Sequence, residues 1–457
     1  MRSGAELGTG RVPAPAQRAP GGRGEPGTGV RARLLTATLG IVLASILPVR
    51  GVAQTVAITG GRVYPVNGPV IENGTVLIRD GKIVEVGANV AVPQGATRID
   101  ATGKWVTPGL INALTGLGVS EIGQVQATVD ARARGDNAIA ASFPVWQGVN
   151  PASTMLAPAR NDGVTSVVVV PSGGLIAGQA ALLDLVPGTI TDMINKAPVA
   201  MVAQFGDPRS GNTNARGEQY ARLKELLEDA RNYSRRKADF ERAQTRDFAA
   251  RRADLEALIP VVEGRLPLLV NADQASDIDA VLRLARETNV NLIVAGGAEA
   301  WMVADRLASA NVPVIVGSMS NIPTSFATLG SRQESPALLQ RAGVKVVLIG
   351  NGSGDETVFN VRNLKYDAGV AVAFGMTWDD ALRAITLTPA EVLGVANRVG
   401  SLQPGRDANV VVWSGDPFEF ATRAEHVLIR GREIAQPSRQ DELMERYKTV
   451  PPAYRKP

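Results

Sequence analysis

Four carboxylates follow apolar runs that read as strand ends. Asp273 comes after Leu266 to Val270, Glu299 after Asn291 to Ala295, and Asp355 with Glu356 after Val344 to Ile349. A carboxylate buried at such a place can hold a raised pKa and exchange a proton with a substrate. Glu299 and Asp355 are the candidate acid and base. Asn271 and Asn351 lie on the same strand ends and, with Glu299, offer hydrogen bonds to a small ligand in an otherwise apolar pocket. The chain has one histidine, His426, and no cysteine. Thiol nucleophiles are therefore excluded. A single imidazole cannot build a multi-histidine metal site, and a site made of carboxylates alone would belong to a different enzyme. His426 opens a predicted strand of a separate β unit, away from the pocket that a Ser-His-Asp triad needs. The glycine-rich run Gly350 to Thr357 could bind an anion through backbone N–H groups. It lacks the lysine of a phosphate-binding loop and otherwise reads as a plain loop.

The elements that must position these residues are legible as texture. From Thr55 the pattern is β: Val56-Ala57-Ile58, then Thr75 to Ile78 and Lys82 to Val86 around the turn Asp80-Gly81. These strands predict part of a small β-sandwich over residues 54–107. After Trp105 eight apolar runs alternate with other segments. They are Leu110 to Leu114, Ser166 to Val170, Ala180 to Val186, Val199 to Phe205, Leu266 to Val270, Asn291 to Ala295, Val312 to Val316 and Val344 to Ile349. Their nearly continuous Val/Ile/Leu/Ala content suits parallel strands buried on both faces. The spacing predicts a (β/α)8 TIM-like barrel over 108–399, with a doubly wound open sheet as the alternative. A charge-rich helical insert is expected at 218–263. It is either a solvated surface or a lid or docking element. Two further strands within 400–435 would complete a composite β-sandwich from both chain ends, and 436–457 reads as a polar, frayed tail.

Composition bounds the partners. Aromatics are 4% of residues, which leaves little for stacking on bases or sugars. The pI near 9.4 has a local source. Residues 1–53 hold seven arginines against two glutamates, so the remainder is close to neutral at about −1. A nucleic-acid partner is not expected. Residues 1–29 read either as a disordered extension or as a product of the choice of start codon. Arg31 and Arg33 precede an apolar run, Leu34 to Leu47, and Gly51-Val52-Ala53 offers a cleavage site. A signal peptide at about 30–53, a periplasmic or secreted product and no stable membrane anchor after cleavage are expected. An uncleaved anchor is the alternative.

Several motifs lie in order along the chain: Asp100-Ala101-Thr102-Gly103-Lys104, Thr107-Pro108-Gly109-Leu110-Ile111, Ala342 to Val346, Ala381 to Thr386 with Thr388-Pro389-Ala390, and Gly400 to Asn409. With them the chain resembles the amidohydrolase superfamily, its imidazolonepropionase-like and exported branches most closely. The resemblance covers about 55–435. It implies the barrel with its composite sandwich, and a metal-assisted hydrolysis of non-peptide C–N bonds, cyclic amides included. In that chemistry the metal, typically zinc, activates water and polarises the scissile carbonyl. Carried onto this chain, the family's ligand positions fall on Leu114, Gly116, Asn271, the region of Gly297, and Asn351. None offers an imidazole or an anion, and the fourth strand offers Gln204 but no lysine.

The expectation is therefore an exported family member with a degenerate metal site and no metal cofactor, a non-catalytic homologue that binds a small molecule. The alternatives are a metal-independent hydrolase using Glu299, Asp355, Glu356 or Asp273, and a structural subunit in a hetero-oligomer with an active amidohydrolase paralogue.

Overall fold

The computed structural model describes residues 55–133, 138–206, 215–318, 323, 325–350, 356–434 and 437–449. The predicted leader, Asn351 and Asp355 lie outside them.

Two sheets organise the chain. The first five strands are Thr55–Val63 (β1), Ile71–Arg79 (β2), Lys82–Gly87 (β3), Thr97–Asp100 (β4) and Trp105–Pro108 (β5). The barrel strands follow: Leu110–Thr115 (β6), Val164–Val169 (β7), Ile176–Asp184 (β8), Ile194–Gln204 (β9), Leu268–Ala272 (β10), Leu292–Gly296 (β11), Val314–Val316 (β12) and Val346–Leu348 (β13). Val410–Trp413 (β14), Ala424–Ile429 (β15) and Arg432–Glu433 (β16) return to the first sheet. There β14 runs antiparallel to β5, pairing Val411 with Thr107, so both ends of the described chain share one sheet.

The barrel sheet runs in sequence order from β6 to β13 and is nearly closed, as the barrel reading expects. Side-chain parity sorts its residues. Ile111, Val168, Leu182, Val202, Leu269, Ile293, Ile315 and Val347 fill the interior. Their neighbours Val167, Leu183, Ala203, Val270, Val294 and Leu348 face the surrounding helices. This is the pattern of strands buried on both faces. One end is stoppered by Ala390, Leu393, Val395 and Val399.

One expectation is overturned. The strands are not all parallel: β8 runs antiparallel to both β7 and β9. Only residues 170–175 join β7 to β8, and only 185–193 join β8 to β9. A parallel return needs a crossover of about a dozen residues or more. Gly173 and Gly174, with φ of 80° and 71°, turn the chain instead.

Between β9 and β10, helices Arg216–Arg235 and Arg252–Val262 bury Leu223, Leu226, Leu227, Leu255 and Leu258 against the outer core. The polar tail is not frayed throughout. Residues Arg439–Tyr447 form a helix whose start is closed by a reciprocal Ser438–Asp441 capping box. Among the described residues no helix is long and apolar enough to cross a membrane.

Buried polar groups join barrel to sheet. The Asp184 carboxylate accepts from Ser166 Oγ (2.7 Å), Asn195 Nδ2 (2.9 Å), Asn409 Nδ2 (3.3 Å) and Arg430 Nε (2.7 Å). Trp413, fully buried, donates from Nε1 to Thr107 Oγ1 at 2.8 Å. Its ring lies so close to Gly163 that a Cβ there would stand 2.2 Å from it.

Candidate functional site

The site is built where β9 and β10 end, on the face of the barrel where active sites of this fold sit. By parity with Val202 and Leu269, Gln204 and Asn271 turn inward, and the register pairs them directly. Asn271 Nδ2 donates to Gln204 Oε1 at 3.0 Å. This leaves the Gln204 amide N–H groups and the Asn271 carbonyl as a neighbouring donor and acceptor. Leu114, half-buried, and Val170 pack on the interior cluster and make the same layer apolar.

Just outside, the backbone is held by ions. Gly206 has φ of +81°, and a Cβ on it would lie 2.1 Å from Asp277 Oδ2. Asp277 is 2% exposed in the first turn of helix Ala275–Thr288. Arg216 grips it with both arms of its fork, Nε to Oδ1 at 2.5 Å and Nη2 to Oδ2 at 3.0 Å. That bond holds the Arg216 guanidinium pKa above its ordinary value. The same guanidinium donates to Gln274 Oε1 (2.7 Å) and Gly206 O (3.2 Å). A cleft of about 20 Å³ opens between Gly206, Asn271, Asp273 and Ala327, close to the room one water needs.

The residues singled out in the sequence scatter in role. Asn271 reaches the interior. Glu299 does not: its Oε2 accepts from Ala275 N at 2.9 Å, serving the start of the helix. Asp273 lines the cleft, and its backbone carbonyl accepts from Glu299 N at 2.8 Å. Gly297, with φ of 62°, is buried in the turn after β11. Gly116 follows β6, and its carbonyl accepts from Val119 N and Ser120 N, both at 3.1 Å. Glu356 begins the helix Glu356–Phe359. His426 lies on β15 in the other sheet, its Nδ1 2.6 Å from Glu433 Oε1.

The described residues at the family's ligand positions offer no charged or imidazole side chain. Leu114, Gly116 and Gly297 have no side-chain donor, and Asn271 is a neutral amide already bonded to Gln204. Among the described residues no three His, Asp or Glu side chains are grouped to share a metal.

Arg216 and Asp277 escaped the sequence reading. Their signal was faint, an arginine and an aspartate each in a first helical turn. Ser318, just past β12, was also missed. Its N–H donates to Asp367 Oδ1 at 2.6 Å and its hydroxyl to Asp367 O at 2.6 Å, so it is a buried tie.

Comparison with known proteins agrees with this architecture. Residues 268–436 match the amidohydrolase family model. The imidazolonepropionase of Mesorhizobium japonicum is 25% identical over 383 residues, covering 78% of this chain and 90% of that protein. Amidohydrolase tasK of Hapsidospora irregularis is 22% identical over 392 residues, 78% of this chain; the alignment spans only 39% of that longer protein. Among solved structures, an amidohydrolase from Thermotoga maritima superposes with a TM-score of 0.76 at 27% identity, covering 84% of this chain and all of that one. The barrel, the sheet made from both ends and these matches make the chain similar to the amidohydrolase superfamily, whose members hydrolyse C–N bonds.

Proposed function

We propose that this chain is a non-catalytic member of its family that binds a small neutral molecule at the barrel mouth. The observation that carries this is the Gln204–Asn271 pair: two coupled amides in an apolar layer, where the family's chemistry would require charged or imidazole ligands. A neutral amide does not compensate the charge of a divalent ion, so the ion keeps its water. The pair instead offers one donor and one acceptor side by side. Two nearby carboxylates are committed elsewhere, Asp277 to Arg216 and Glu299 to the helix start, which weighs against a metal-independent hydrolase built on Glu299.

Elemental analysis of the purified full chain tests this reading. The expected result is no stoichiometric zinc, iron or manganese, with a melting temperature unchanged by a chelator. Tightly held metal at one ion per chain would overturn it.

A second reading has its own observation. Phe326 (86% exposed), Leu329 (60%) and Met302 (47%) form apolar surface beside Gly330, near the cleft. Exposed apolar patches of this kind suit a partner subunit, here an active paralogue. Co-expression with such a paralogue followed by size-exclusion chromatography checks it. Export, supported by the arginine-led apolar run at 30–53, is tested by cell fractionation.

A further inference from the structure

A second cleft, of about 410 Å³, opens on the outer flank of the barrel. It lies between helix Arg216–Arg235, the segment 248–251 and the loop carrying Ile139. Its size falls in the range of small-molecule sites, about 300–1,000 Å³. Ile139, Phe248 and Ala250 give it apolar walls, and Arg222 and Arg251 bring two guanidinium groups to it.

The walls are fixed in advance. Phe248 stacks on Phe240 at 5.5 Å, and Tyr233 meets it edge-on. Asp254, 1% exposed, accepts from Arg251 Nε at 3.0 Å, and Arg251 Nη2 lies 2.9 Å from the same oxygen. Its other oxygen accepts the Ser142 N–H (2.9 Å) and hydroxyl (2.8 Å). That carboxylate is fully engaged, and it orients Arg251 while leaving part of its fork unused. Arg222 has no hydrogen-bond or ion-pair partner among the described residues. Arg246, which lies over the Phe248 ring, is paired with buried Asp229. Among the residues that line the cleft, two arginines stand against the single carboxylate of Asp254.

The geometry points to this cleft as a binding site for a small organic carboxylate with an apolar body. The carboxylate would lie between the two guanidinium groups, in the planar recognition that arginine favours. The body would pack against Phe248. Because Phe248 and Arg251 are already held in place, Arg222 is the wall residue that must be ordered on binding.

Calorimetric titration of the full chain with benzoate, and with benzamide as its neutral counterpart, tests the assignment. Benzoate is expected to bind, benzamide at least about tenfold more weakly, and Arg222→Ala is expected to weaken benzoate about tenfold. Raising the salt concentration should weaken it further. Arg222 is exposed, so the variant should keep the wild-type melting temperature. Arg222→Gln provides a second variant of the same kind. Absence of benzoate binding to the wild type, equal binding of benzamide, or an unchanged affinity in both variants would overturn the proposal.

Discussion

Asp184 and Arg430 meet at 2.7 Å across the boundary between barrel and sheet, 246 residues apart in the chain. Asp184 is fully buried, and Arg430 also donates to Asp192 O at 2.8 Å. Removing one partner of such a pair leaves the other uncompensated. Asp184→Ala should cost about 3–5 kcal/mol of stability. Asp184→Asn should recover part of this loss, because it keeps an acceptor for Ser166. Chemical denaturation of the three proteins measures it; equal midpoints would show that the pair is not structural.

Gly206 permits the approach of Asp277 to the end of β9. Gly206→Ala forces a Cβ into the carboxylate and a side chain into left-handed backbone. A loss of about 2 kcal/mol or more is expected. Asp277→Asn in the same background should not rescue it, since the clash is steric.

Glu299 is a helix-start residue in this fold. Glu299→Ala should lower stability by about 1 kcal/mol, the usual scale of a lost N-terminal acceptor. Any hydrolytic rate found for the protein should stay unchanged. A rate falling with Glu299→Gln while stability holds would return this residue to catalysis.

Tyr64 packs between Trp105 and Trp378 and is 5% exposed. Burial pushes its phenol up to about 12 from an ordinary value of 10.0; Asp416 and Glu72 raise it further, and Arg62 opposes them. The folded chain thus holds a proton that the unfolded chain releases earlier. The stability this contributes is intact below pH 10 and is lost as pH rises through about 12. Ultraviolet titration should show the Tyr64 phenol ionising near that upper value, and Tyr64→Phe should remove that component. Phenols that all titrate together near their ordinary value would contradict this.

Much of the architecture was legible because its signals are local. Doubly buried strands announce themselves as unbroken apolar runs, and Ala408 to Trp413 was visible as a strand from its residues alone; within it, Val410–Trp413 forms the strand. The direction of β8 was not visible in that texture, since a strand buried on both faces reads alike either way. Connection length held the information: six residues after Val169 cannot cross a sheet. At the site, Asn271 was recoverable from strand register, whereas the Arg216–Asp277 fork was not. That fork joins residues 61 apart through a glycine whose conformation no periodicity encodes. Glu299 misled for the opposite reason. A carboxylate at a strand end has the same sequence signature whether it faces a substrate or the helix beside it.

The pairing of β5 with β14 has a consequence for synthesis. Trp105–Pro108 emerges before the whole barrel, and Val410–Trp413 after it. Throughout translation of the intervening residues, one edge of β5 has no strand to receive it and Asp184 has no guanidinium. Nascent chains are thus vulnerable for most of their elongation. A product stopped short of residue 410 would carry a sticky, uncovered strand edge into the cell, the kind of surface that promotes aggregation. Closing the sheet is therefore a length check, which only a chain translated through β14 and β15 can pass.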